Sequence, residues 1–367
     1  MTIRPRSTTT PVAPNQKAKG RGVMSNDPSR YDSLVSAPCH DGWDIEEDAQ
    51  VMRTIVTEER PRRIITRNNS PDLGFDRSLN PYRGCEHGCS YCFARPTHAY
   101  LGLSAGLDFE TRLIARPQAA KVLLRELAAP RYRVAPIAMG TNTDPYQPIE
   151  GRYRIVRDIL TVLADHGHPV TITTKGTLVE RDIDILTDLA ADGLAHVGVS
   201  VTTLDARLSR ALEARAAAPA RRLQMIERLS AAGIPVRAMI APVIPALTDH
   251  ELEAIVARVA DAGAQAAAFI MLRLPQEVAP LFHDWLHRNV PDRAARVIGR
   301  VRDLHGGRDY DAAWGQRMTG QGSFATLAGQ RFRLALRRAG VAENLPRLRC
   351  DLFRVPGPGG AQLSLFD

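Results

Sequence analysis

Three cysteines within eight residues constrain this chain more than any other feature. In Asn80-Pro81-Tyr82-Arg83-Gly84-Cys85-Glu86-His87-Gly88-Cys89-Ser90-Tyr91-Cys92-Phe93-Ala94-Arg95 they stand at C-x3-C-x2-C, and the sequence has only two others, Cys39 and Cys350. Thiols this close are poorly placed for structural disulfides. A shared metal centre explains them better, because thiolates select soft iron–sulfur or zinc centres. Gly84 and Gly88 stand immediately before Cys85 and Cys89. Lacking a Cβ, they admit backbone angles that let three sulfurs turn towards one centre. Three readings stand open. Structural zinc wants four ligands, and with no second C-x2-C pair the fourth falls to His87 or His98. Free thiols clustered by chance are the second. The third is an iron–sulfur cubane whose fourth iron is open to a small molecule, as an open position serves a catalytic metal.

Downstream, short apolar runs alternate with amphipathic segments. The pattern predicts strands at Asp76–Tyr82, Val134–Met139, Val170–Thr174, Ala195–Val201, Val236–Ile240 and Ala266–Met271. Between them it predicts helices at Gln118–Ala129, Tyr153–His166, Leu178–Ala191, Leu223–Ala232 and Asp249–Ala262, several stopped by glycine. Strands separated by single helices imply right-handed βαβ units and a parallel sheet. Six units over residues 76–274 make an α/β fold, read as a partial (β/α)6 barrel with functional residues at the C-terminal strand ends; periodicity alone leaves an open parallel sheet as the alternative. Residues 1–36 read as a disordered basic arm and 37–75 as a lead-in. Residues 275–355 form a helical C-terminal extension with Trp285 as an anchor. Within it Gly322–Gly340 is a basic amphipathic helix carrying Arg331, Arg333, Arg337 and Arg338. Residues 356–367 are a flexible tail.

The formal net charge of +8 and pI near 9.5 favour a polyanionic partner, though charge bears on association and not on fold. No apolar run reaches the ~18–20 residues of a membrane span, and the basic N-terminus has no apolar core of a secretory signal. Five cysteines with a clustered trio fit a reducing compartment, so the expected location is the cytoplasm.

Cys85-x3-Cys89-x-Tyr91-Cys92, with an aromatic before the last cysteine, resembles the signature of the radical S-adenosylmethionine (radical SAM) superfamily. The wider stretch Asn80 to Arg95 resembles its spore photoproduct lyase-like, or DNA repair photolyase-like, subgroup, with the likeness running from about Arg62 to Met271. The resemblance implies that Cys85, Cys89 and Cys92 bind a [4Fe-4S] cluster and that SAM is the second cofactor. The reduced cluster would cleave SAM to a 5′-deoxyadenosyl radical, with electrons from a donor such as flavodoxin or ferredoxin. It also implies a barrel open on one side to a bulky substrate, and a lyase-like repair enzyme acting on damaged or modified DNA. The alternatives are a radical SAM enzyme that modifies a protein or small molecule, and a non-catalytic iron–sulfur or zinc protein docked on a DNA-processing assembly.

Candidate SAM contacts fall after successive strands. Thr143 and Asp144 offer acceptors to an ammonium, although Asp144 before Pro145 also suits a turn. Lys175 offers a cation to a carboxylate. Ser200 and Thr202, two apart on a strand, are expected to share a face and reach ribose hydroxyls. Tyr91, Phe93 and Pro242 offer apolar surface to adenine. Spore photoproduct lyases carry a further cysteine after the second strand, which returns hydrogen to the product radical. Here Thr141 and Thr143 stand in that region, leaving Cys350, a tyrosine such as Tyr146, or SAM itself for that task. The tail Gln362, Leu363, Ser364, Leu365, Phe366 resembles the peptide by which DNA polymerases and repair proteins dock on the sliding clamp.

Overall fold

The computed structural model describes residues 20–32 and 52–357. Cys39, the clamp-like tail 362–366 and residues 1–19 and 33–36 of the expected N-terminal arm lie outside them. Ten strands run through the described residues: β1 (Ile55–Glu58), β2 (Ile65–Arg67), β3 (Arg77–Leu79), β4 (Tyr82–Arg83), β5 (Arg112–Ala115), β6 (Ile137–Met139), β7 (Val170–Thr174), β8 (Ala195–Ser200), β9 (Val236–Val243) and β10 (Ala266–Met271). Six of them, in the order β3-β6-β7-β8-β9-β10, pair parallel, and β2 adds antiparallel to the β3 edge. The edges β2 and β10 do not pair with each other, so the barrel is partial, as the strand count implies.

The strands form where β-branched residues are buried. Val197 and Val199 of β8 and Val236 of β9 are fully buried, as central parallel strands require. Helices cover the outer face. Ala119–Leu127 buries Ala119, Val122, Leu123 and Leu127, whereas Leu124 is exposed; a step of about 100° per residue carries it off the buried stripe. Prolines set two strand limits. The strand expected over Asp76–Tyr82 stops at Leu79, before Asn80 and Pro81, and Pro81 has no N–H for a ladder. Tyr82 and Arg83 then join a separate three-stranded sheet, ordered β1-β5-β4. Likewise β6 starts only after Pro136. The helix expected from Tyr153 breaks at Arg154, whose φ is +55°, and Glu150 accepts from the Val156 amide at 3.2 Å at the start of the following helix.

The C-terminal extension does three things. Helices Val278–Asn289 and Pro291–Leu304 pack on the cysteine loop through a second core holding Cys89, Tyr91, Leu212, Phe282 and Trp285. Trp285 is an anchor as expected: it stacks on Phe282, and its Nε1 donates to Ala211 O at 2.9 Å. The segment Gly315–Met318 bridges the open side of the barrel. Met318 O accepts from the Met271 amide of β10 at 2.9 Å, and on the β2 side Asp72 accepts from the Gly315 amide at 2.7 Å and from Arg317 at 2.6 Å. Finally, helix Gly322–Ala339 runs back along the barrel, and Ala342 pairs beside Ala266 at the N-terminal end of β10.

Residues 20–32, expected within a disordered arm, are instead packed against the barrel. Arg21 donates to Glu110 O at 2.9 Å and Met52 O at 2.7 Å, Val23 is buried, and the Gly22 amide donates to Glu110 Oε2 at 2.9 Å. A Cβ at Gly22 would stand 1.6 Å from Gly88 O, so this strap lies flush on the cysteine loop.

Candidate functional site

A cavity of about 200 Å³ opens at the C-terminal ends of the parallel strands. Cys85, Cys89 and Cys92 line one wall; Asp144, Lys175, Ser200, Pro242 and Arg273 line others. Residues more than 180 positions apart meet here because parallel strands deliver their following loops to one end.

The cysteine loop is held almost wholly by buried polar contacts. Arg95, fully buried, donates to Cys89 O at 3.0 Å, to Ala105 O at 3.1 Å and Gly106 O at 3.0 Å, and pairs with the buried Glu110 at 2.5 Å. The Cys85 amide donates to Phe109 O at 2.9 Å. Gly84 takes a φ of +76°, and a Cβ there would meet Phe109 O at 2.8 Å; the glycine is required on both counts. From the β6 side, Thr143 Oγ1 donates to Gly84 O at 2.5 Å, and Gln147 Oε1 accepts from the Glu86 amide at 2.9 Å. Asn80 ties in the same loop, accepting from the Asn142 amide at 3.1 Å.

Glu213 is the electrostatic centre, and sequence reasoning missed it. Its buried carboxylate takes Arg222 and the Tyr91 hydroxyl as close partners, and Thr202 Oγ1 at 2.9 Å. Lys175 Nζ stands 3.9 Å away. Burial alone would push the carboxyl up, but Arg222, then Lys175, and the donated hydrogen bonds hold it down at about 2. Its backbone pairs as an isolated antiparallel bridge with Cys89. One residue therefore buttresses the middle cysteine and supplies the counter-ion of Lys175. No sequence motif marks it: Arg222 lies nine residues on, and Tyr91 reaches it from another element.

Tyr91, Phe93, Thr143, Asp144, Lys175, Ser200 and Pro242 all line the cavity. Thr202 does not. Strand β8 ends at Ser200, so the period-two rule no longer governs Thr202, whose hydroxyl turns to Glu213 and Tyr91. Asp144 lines the wall with its oxygens already occupied. It accepts from the Tyr146 amide at 2.9 Å, Thr174 Oγ1 at 2.6 Å and the Lys175 amide at 2.7 Å, and His87 Nδ1 lies 3.1 Å away. Burial opposes its charge, but His87 and these donors hold its pKa down at about 2. Asp144 thus fastens the β6 and β7 loops together. Thr143 is similarly engaged, with Gly84 and with Gln147 Nε2 at 2.9 Å. Arg273, Asn142 and Met239 line the cavity without having been singled out from sequence, and His87, considered there only as a zinc ligand, lines it too.

Neither proposed hydrogen donor reaches the cavity. The Tyr146 hydroxyl is buried on Asp182 at 3.1 Å. Cys350 follows Arg349, whose amide bonds Gly193 O at 3.0 Å ahead of β8, at the N-terminal end of the strands and so the opposite end of the barrel. The arginines of helix Gly322–Ala339 are also remote. Arg331 is spent on Glu253 at 2.6 Å, while Arg333, Arg337 and Arg338 are exposed, the last two in the turn leading to Ala342.

The residues present fit a cluster better than one zinc ion. The three sulfurs share a cavity wall. Yet among the described residues no three His, Cys, Asp or Glu side chains gather closely enough for one ion. A cubane takes its thiolates at separate corners. No helix among the described residues is long and apolar enough to cross a membrane.

Fold and site together define a cofactor-using enzyme built on a partial α/β barrel, with its chemistry at a cysteine-lined cavity at the strand ends. Residues 79–259 match the model of the Radical SAM superfamily. An uncharacterized protein of Mycobacterium tuberculosis is 40% identical over 239 residues, covering 65% of this chain and 69% of the relative. Another uncharacterized protein, from Methanocaldococcus jannaschii, is 27% identical over 173 residues, covering 47% of this chain and 62% of the relative. Among solved structures, a spore photoproduct lyase variant with bound AdoMet and dinucleoside spore photoproduct shares the fold, with a TM-score of 0.56 at 13% identity, covering 79% of this chain and 82% of that one. The chain belongs to the radical SAM superfamily, and its cofactors are those of the family, a [4Fe-4S] cluster and SAM.

Proposed function

We propose that the chain is a radical SAM enzyme acting on damaged or modified DNA, with Cys85, Cys89 and Cys92 as the cluster ligands. The observation that carries this is the single cavity: the three cysteines and the strand-end residues Lys175, Ser200 and Pro242 all line it. When bound, the cluster would supply the one electron that cleaves SAM to methionine and a 5′-deoxyadenosyl radical. The chain's own residues do the rest. Arg95 and Thr143 fix the loop backbone. Lys175, kept beside Glu213, presents a cation to the SAM carboxylate. Ser200 and Pro242 border the adenosine, and Tyr91 and Phe93 keep water from the reacting atoms. The net charge of +8 and the fold shared with a lyase solved with a dinucleoside photoproduct support nucleic acid as the substrate class. Binding to the sliding clamp through residues 362–366 would deliver the enzyme to DNA.

The test is anaerobic reconstitution followed by incubation with irradiated DNA and a reductant. We expect 5′-deoxyadenosine together with altered bases. Deoxyadenosine with unaltered DNA, but a changed peptide or metabolite, would favour the protein or small-molecule alternative. No deoxyadenosine at all would refute the enzyme reading.

A further inference from the structure

Arg273 is the one arginine on the cavity wall, and it stands out for what it lacks. It follows β10 at the open edge of the barrel. Its guanidinium lies 4.4 Å from the centroid of the Phe93 ring. Among the described residues it has no hydrogen bond and no ion pair, whereas every other cation near the cavity is committed. Lys175 has Glu213, and Arg317, close enough to repel Arg273, is fixed on Asp72. Burial lowers the pKa of Arg273, yet an arginine stays charged at neutral pH. A half-buried guanidinium with no acceptor from the described residues keeps its N–H donors available to a ligand. Phe93, 46% exposed, does not supply one; the guanidinium carbon lies over its ring, a contact that leaves the N–H edge unspent. The acceptor such an edge fits is an oxyanion able to take two parallel N–H bonds.

We propose that Arg273, placed over the Phe93 ring at the open edge, receives a backbone phosphate of the nucleic-acid strand whose base enters the cavity. This rests on the nucleic-acid reading above. Two features favour phosphate over the carboxylate of an acidic peptide. The arch Gly315–Met318 brings a second arginine, Arg317, beside the first, and Asp72, the carboxylate near both, is already paired with Arg317. The chain as a whole is also basic, at +8, which draws a polyanion to this edge. The SAM carboxylate has its own cation in Lys175, which stands after β7, three strands away from β10 in the sheet.

The experiment uses the full reconstituted chain and a fluorescein-labelled single-stranded oligodeoxynucleotide, read by anisotropy across a salt series. A glutamate-rich peptide serves as competitor, and SAM affinity and iron content are measured alongside. R273Q should weaken oligonucleotide binding about tenfold or more and lower the salt slope by about one, with SAM affinity and iron content unchanged. R273K should fall between, because an ammonium keeps the charge without the fork. F93L, which keeps the charge and removes the platform, should weaken binding with the salt slope retained; it carries the test if R273Q loses iron. Wild-type binding by R273Q, or a loss that falls on SAM instead, overturns the assignment while leaving the nucleic-acid reading intact. Arg273-dependent binding of the peptide in place of the oligonucleotide overturns the choice of phosphate. No oligonucleotide binding by the wild type would overturn the nucleic-acid reading itself, and this assignment with it.

Discussion

Changing Glu213 to Gln tests how the site is held together. The substitution keeps size and one acceptor but removes the charge, leaving Arg222, 1% exposed, without its counter-ion. Removing one partner of a buried pair costs about 3–5 kcal/mol. Unfolding entropy near 2.1 cal/mol/K per residue, over roughly 300 residues, comes to about 0.6 kcal/mol/K, so Tm should fall by roughly 5–8 °C. The pH dependence has a definite sign. The folded pKa of about 2 lies below the ordinary value of roughly 4.3. The charge contribution is therefore complete above the ordinary value and is lost as pH falls towards 2. The wild-type minus E213Q difference should be full at neutral pH and shrink in acid. Differential scanning calorimetry of the iron-free chain measures it without involving cofactor. The double variant E213Q/R222M should recover much of the loss, because removing both charges removes the unpaired one. A neutral-pH loss below about 1 kcal/mol, or a double variant no better than E213Q, would refute the reasoning.

Replacing Cys85, Cys89 or Cys92 singly by Ala should abolish cluster absorbance and SAM cleavage, whereas Cys350→Ala should leave both intact; a full iron complement in C89A would sink the ligand assignment. Gly84→Ala forces a Cβ to within 2.6 Å of Leu113 Cδ2 and 2.8 Å of Phe109 O at a positive φ, so iron retention should fall and the melting point drop; unchanged iron uptake would count against the geometry. Converting Arg333, Arg337 and Arg338 together to Ala should flatten the salt slope of DNA binding and spare SAM cleavage, since Arg337 and Arg338 sit at the far end of the barrel; an unchanged slope would show that face to be merely solvated. Ending the chain at Gly360, or changing Leu365 and Phe366 to Ala, should abolish retention on purified sliding clamp; equal retention of all three chains would dismiss the docking tail.

What could be read from sequence, and what could not, follows from the range over which each feature is encoded. The βα alternation is local: runs such as Val170–Thr174 and Ala266–Met271 carry their own periodicity, and the structure places both strands at those residues. A parallel sheet then sends every following loop to one end, which is why Thr143, Lys175, Ser200 and Pro242 could be gathered on paper and do meet around one cavity. The rule fails where its premise fails. Thr202 was placed by strand alternation two residues after Ser200, but the strand has ended there, and the side chain answers to Glu213 instead. The reading of Thr143 and Asp144 as free acceptors fails because a sequence shows donors and acceptors without showing which are already satisfied; the other reading of Asp144, as a turn residue, fits its bond from the Tyr146 amide. Glu213, Arg222 and Arg95 were invisible for the same reason in reverse. A charged residue reads as surface until its partner, distant in sequence, is brought to it, and burial of a charge is tolerated only once that partner is present. The strap at residues 20–32 is the sharpest case. Its low apolar content suggested disorder, yet it is held by Arg21 and by the Gly22 amide on Glu110. That carboxylate is in turn held by Arg95, whose other donors fix the backbone of Cys89. Order in the strap and order in the cysteine loop are therefore one polar network, and a chain cut before residue 33 should lose iron faster than the intact one.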